Sequence, residues 1–194
     1  MKGNCIVGLL LSTALVLTAC KAEQQPVSTT AATAAVSEQT VPATETQSPV
    51  EKRQLFCYVE NHETTVDASL FSGAGYSIYI IDDNWNHQAE LVDGHSVDIW
   101  QNAAYQDAAL WVVKMDGADL SAAQTWTKQT FEGYDLFEDK QGGMLGNNAD
   151  GDFMGAKILS TDSAAYILIE MYALEDSETL GIYLRVMTDT FEAN

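Results

Sequence analysis

After Pro49 this chain has no proline at all; its three prolines, Pro26, Pro42 and Pro49, crowd into one segment ahead of the aromatic-rich part. Basic residues are scarce too, nine Lys and Arg against 28 Asp and Glu, for a formal net charge of −19. A surface of that sign repels phosphate, which argues against nucleic acid and anionic lipid headgroups as partners and leaves a cationic partner, a divalent ion or no specific partner. The three histidines, His62, His87 and His95, form no HxH or HxxxH pair. With the three cysteines Cys5, Cys20 and Cys57 so far apart, the tight four-ligand spacing of a structural zinc site is absent. No G-x-S-x-G elbow, dinucleotide fingerprint or G-K-[ST] phosphate loop occurs. No apolar run reaches the roughly 20 residues of a membrane-spanning helix. The expectation is a protein that is not an enzyme and carries no cofactor.

The one long apolar run is Ile6–Ala19, preceded by Lys2 and ended by Cys20. It has the length of a signal-peptide core and small residues at its end, which suits cleavage. Leu17-Thr18-Ala19-Cys20 resembles the lipobox of bacterial lipoproteins. The resemblance implies cleavage before Cys20, a diacylglyceryl group on its thiol and a fatty acyl chain such as palmitate on the new amino group. Each buried methylene adds about 0.8 kcal/mol, and one chain alone anchors only marginally, so two or three chains would hold the protein to a membrane. The expected location is the extracytoplasmic face of the cell envelope. Lys21, in place of an inner-membrane-retaining aspartate, fits the periplasmic face of the outer membrane in a Gram-negative cell.

Residues 20–50 form the lipidated cysteine and a tether. Positions 21–50 hold no aromatic residue, Leu, Ile or Gly, so they bury too little apolar surface to offset ordering entropy. A random coil of that length spans about 30 Å. All four Trp, eight Tyr and six Phe lie in residues 51–194, which read as a single acidic domain. That domain has seven basic and 25 acidic side chains, hence −18. At that size about 68–70% of the unfolded surface becomes buried. Once Cys5 leaves and Cys20 is acylated, Cys57 is the remaining thiol and no intramolecular disulfide can form.

Within the domain, 53–60, 64–71 and 76–82 alternate apolar and polar residues as strands do. Strand-like runs follow at 87–92, 95–102 and 107–116, with Asp93-Gly94 as a hairpin signal. Residues 119–133 read as a helix capped by Asp119 or Ser121. Strand patterns return at 134–139, 142–147, 152–160 and 164–174, the last apolar and long enough to be a central strand. Leu180, Tyr183, Leu184, Met187 and Phe191 recur at helical spacing, with Asp176 or Ser177 as the cap. These elements predict an α+β domain, an antiparallel β-sheet flanked by a mid-domain helix and a C-terminal helix.

Three stretches carry a family resemblance: Gly75–Trp85 ("GYSIYIIDDNW"), the strand "AAYILIEMYAL", and "YLRVMTDTFE" closing on Thr190-Phe191. Together they resemble the PsbP-like domain family. The resemblance implies an α/β/α-type sandwich around an antiparallel sheet, and proteins that bind partners or assist assemblies; no catalytic residue carries over.

The remaining candidates are few. Cys57, inside an apolar strand, reads as core packing. His95, Ser96 and Asp98 are close in sequence, yet a catalytic triad is a spatial arrangement. "GNNADGD", 146–152, fails as an EF-hand: with Gly151 at the turn glycine, Lys157 falls where a bidentate glutamate belongs. An irregular divalent-cation site on Asn148, Asp150 and Asp152 stays a candidate beside a solvated hairpin turn. Trp100, Trp111 and Trp126 lie on apolar patterns. Trp85, in the polar "DDNWNH", is the tryptophan expected to be exposed and the candidate ligand contact. The functional expectation is a membrane-anchored envelope lipoprotein acting through a protein partner, with a small-ligand or divalent-cation binder as the alternative.

Overall fold

The most apolar segment of the domain, Ala164–Ala173, is the middle strand of a seven-stranded antiparallel sheet in a computed structural model that describes residues 50–60 and 62–194. Residues 1–49, which hold the expected signal peptide, Cys20 and the expected tether, and residue 61 lie outside the described residues. In chain order the elements are β1 (Lys52–Val59), β2 (His62–Gly73), β3 (Tyr76–Ile81), β4 (Trp85–Val92), β5 (His95–Asn102), β6 (Ala109–Asp116), α1 (Leu120–Thr130), β7 (Tyr134–Glu138), β8 (Met144–Asn148), β9 (Asp152–Ser160), β10 (Ala164–Ala173), α2 (Ile182–Thr188) and β11 (Glu192–Ala193). The described residues belong to a single compact unit. None of their helices is long and apolar enough to cross a membrane.

The expected single sheet is two. A four-stranded sheet runs β1-β2-β3-β11 and a seven-stranded one β4-β5-β6-β10-β9-β8-β7. The break falls between β3 and β4. Strand β3 pairs with β2 along its whole length and with β11 at Tyr76 and Ser77; after Ile81 the chain turns, with Asn84 at φ 60°, and enters the larger sheet as β4. Strand β11 was not expected; two residues carry no periodic pattern.

Strand β10 is buried on both faces, and each face has its own cover. Ala165, Ile167 and Ile169 pack with Val97, Ile99, Val113 and Met154 under Ala123, Trp126 and Phe131 of the α1 segment. Ala164, Tyr166, Leu168 and Tyr172 pack with Tyr76, Ile78 and Ile80 of the smaller sheet and with Leu184 and Met187 of α2. At about 25 cal/mol per Å² of apolar surface, these two clusters supply the main favourable contribution to folding in a domain without disulfides.

Local chemistry explains the joints. Asp93 (φ 51°) and Gly94 (φ 84°) make the two-residue β4–β5 link, with Val92 opposite His95. Positive φ at both positions is what a type I′ hairpin requires. Asp119 Oδ1 accepts the Ala122 N–H at 2.8 Å and caps α1. The C-terminal helix differs from expectation. A 3₁₀ turn at Leu174–Asp176 and a π turn at Ser177–Gly181 precede α2, and neither Asp176 nor Ser177 caps it through its side chain. The wide turn places the Gly181 backbone against Tyr172: a Cβ there would sit 2.8 Å from the ring.

Gly181→Ala should therefore cost about 1–3 kcal/mol by overpacking. Gly133→Ala, where a Cβ meets nothing and φ is not positive, should leave stability unchanged or raise it by about 0.4–1 kcal/mol. Urea denaturation of the two variants checks the contrast; equal effects would contradict the close approach.

Candidate functional site

One row of side chains crosses the larger sheet on the face toward the smaller one. Cross-strand neighbours in order are His87, Trp100, Leu110, Glu170, Gly155, Leu145 and Phe137. Trp100 and Leu110 are buried under the smaller sheet. Beyond Glu170 that cover stops. Gly155 contributes no side chain, Leu145 is half-buried, and Phe137 is 61% exposed. The uncovered half is a cleft of about 490 Å³ between β8, β9, the β7–β8 turn and α2. That volume lies in the size class of small-molecule sites.

Glu170 forms the cleft's floor. Its side chain is 8% exposed, and Arg185 Nε on α2 lies 3.5 Å from its Oε2. Thr188 Oγ1 is 2.6 Å from Oε1 and 3.0 Å from the Arg185 carbonyl. This geometry serves both charge states. A carboxylate accepts the Thr188 proton; a protonated Glu170 donates to Thr188, which then donates to the carbonyl. Burial pushes the Glu170 carboxyl above the ordinary glutamate value, while Thr188 and Arg185 pull the other way. At the mouth, Lys157 Nζ lies 3.4 Å from Asp189 Oδ1. Asp139 shapes the rim, its Oδ1 accepting the Gln141 and Gly143 N–H groups at 2.7 and 2.9 Å. Sequence reading missed this cleft. Its signal was present: one Glu inside the otherwise apolar strand "AAYILIEMYA".

The residues singled out from sequence lie elsewhere. Asn148, Asp150 and Asp152 do come together, at the β8–β9 turn. There Asn148 Oδ1 accepts the N–H groups of Asp150 and Asp152 at 3.0 and 2.8 Å, and its Nδ2 donates to Asp152 Oδ2 at 2.7 Å. The Asn148 amide thus holds the hairpin turn together through both its oxygen and its nitrogen. Among the described residues no group of three or more His, Cys, Asp or Glu is arranged to hold a metal ion. Trp85 opens β4 and is half-buried against the core, less exposed than expected because it packs as the first residue of a paired strand. Trp100 and Trp126 are buried, and Trp111 is half-buried against Phe131.

Strand alternation separates His95 from Ser96 and Asp98: His95 packs near Trp126, on the α1 face. Asp98 instead accepts from the Tyr76 hydroxyl at 2.6 Å and pairs with His87 Nε2 at 2.8 Å. Burial, then Asp98, holds the Tyr76 phenol far above its usual value. Cys57 is buried, and burial raises its thiol, the opposite of an activated nucleophile.

Neither a family model nor a curated protein sequence matches the chain. Among solved structures it is similar to cyanobacterial PsbP (CyanoP) from Synechocystis sp. PCC 6803, at 10% identity and a TM-score of 0.43, over 66% of this chain and 92% of that one.

The raised Glu170 carboxyl has a signed consequence. The folded state holds the proton more tightly, so stability is highest below the ordinary value of 4.5 and falls as pH rises through the folded value. Glu170→Gln lacks this titration. Its stability relative to wild type should rise with pH across that window, read by urea midpoints from pH 4 to 8. A difference independent of pH would refute the assignment.

Proposed function

We propose that this chain is a membrane-anchored, extracytoplasmic lipoprotein of the cell envelope, and that its acidic α+β domain is a non-enzymatic module that binds a protein partner. The lipobox ending at Cys20 supports the anchor, and the 30-residue tether supports a domain held away from the lipid surface. The observation that carries the partner reading is β1. This edge strand of the smaller sheet turns Leu55 and Cys57 into the core and leaves Phe56 and Tyr58 69% and 65% exposed. An open edge offers main-chain hydrogen bonds to an added strand, and aromatic anchors dominate many interfaces. The charge of −18 favours a partner with a cationic surface.

The finer fold reading belongs to the same proposal: a PsbP-like α/β/α sandwich. It is supported by α1 packing on one face of the larger sheet and α2 on the side of the other. A second reading, a small-ligand binder, is favoured by the cleft over Glu170. Its divalent-cation form would use Asn148, Asp150 and Asp152.

Growth with a labelled fatty acid should tag the wild-type protein and leave Cys20→Ser untagged; an untagged wild type, or equal labelling of the two, would overturn the anchor. The double substitution Phe56→Asp and Tyr58→Asp touches exposed side chains. It should leave stability within about 0.5 kcal/mol per site while removing in-cell crosslinks that photoreactive residues at positions 54 and 63 form in the wild type. Unchanged crosslinks would count against β1 as the docking edge.

A further inference from the structure

The cleft over Glu170 brings two complementary charges to one floor. Glu170 Oε1 has a partner in Thr188. Oε2 has only the 3.5 Å contact with Arg185 Nε, longer than a good N–H···O bond of about 2.7–3.2 Å. A carboxylate has roughly four acceptor sites, so this buried group, which lines the cleft, keeps unused acceptor capacity. Arg185 is the mirror case. Its side chain is 60% exposed and makes no hydrogen bond of ordinary length among the described residues, leaving its planar fork of donors open.

Lys157 repeats the pattern at the mouth, paired with Asp189 at 3.4 Å. Two of the domain's seven basic side chains thus line one cleft, each beside an acid. A simple cation would meet Arg185 and Lys157; a simple anion would meet Glu170 and Asp189. A molecule with both charges a few ångströms apart satisfies both. Leu145 and Leu159 are among the remaining wall residues and give an apolar group a surface to cover.

We infer that the cleft binds a free α-amino acid with an apolar side chain, its ammonium donating to Glu170 Oε2, its carboxylate accepting from Arg185, and its side chain lying against Leu145 and Leu159. The inference rests on the ligand-binding reading of the cleft and is independent of the β1 docking edge. An α-amino acid carries its ammonium and its carboxylate as substituents of the same α-carbon, which suits protein charges 3.5 Å apart.

The test is a thermal melt of the purified full-length protein in detergent, titrated with L-leucine, with isopentylamine (side chain and amine alone) and with 4-methylpentanoate (side chain and carboxylate alone). Leucine should raise the melting temperature saturably, and each half-analogue should need at least tenfold higher concentration for the same shift. Arg185→Gln should abolish the leucine shift, whereas Phe56→Asp should retain it. If the amine alone matches leucine and Arg185→Gln has no effect, the zwitterion assignment falls while the cleft stands as a ligand site. If none of the three probes shifts the melt, the amino-acid assignment is overturned, while the small-ligand reading, which rests on the cleft, is judged by a wider ligand panel in the same assay.

Discussion

A strand buried on both faces needs a cover on each, and β10 imposes that requirement on the whole domain. One side is met by α1, whose Ala123 and Trp126 lie over Ala165, Ile167 and Ile169. The other needs more than a helix. The smaller sheet and α2 share it, and together they leave β7, β8 and the part of β9 that lines the cleft uncovered. The cleft is what remains when a seven-stranded sheet is covered by a narrower layer. Glu170 sits at the boundary, close enough to solvent to reach Arg185 and deep enough for burial to disfavour its charge.

The charge imbalance is not cancelled by the ion pairs. Lys52, Lys114, Lys157 and Arg185 meet Asp82, Asp116, Asp189 and Glu170. The first three are surface pairs of the kind worth about 0–1 kcal/mol each, and most of the 25 acids have no basic counterpart to meet. Self-repulsion of this kind works against compactness while keeping molecules apart. The packed clusters on β10 therefore carry the fold, and the surface charge governs encounters.

Strand alternation was legible wherever one face is buried. Leu55 and Cys57 against Phe56 and Tyr58 gave β1 correctly, Asp93-Gly94 gave the hairpin, and the apolar run at 164–174 gave the central strand. Which strands share a sheet was not legible, because pairing depends on residues more than 100 positions apart, such as Ser77 opposite Glu192. The early part of the C-terminal helix was misjudged for a local reason: periodicity cannot register the wide turn that Gly181 permits beside Tyr172. For the cleft, one Glu in an apolar strand marked the position, while Arg185 and Thr188 become its neighbours only through the docking of α2.

Residues 190–194 close the free edge of the smaller sheet at the start of β3. Tyr79 N–H donates to Thr190 Oγ1 at 2.9 Å, β11 pairs with β3, and Asn194 N–H donates to the Gly75 carbonyl at 2.9 Å. Residues 75–79 are therefore tied to a segment more than 100 positions further along the chain. Contacts of that sequence separation form slowly, so the smaller sheet acquires this edge late in folding, after the strands that pair with near neighbours.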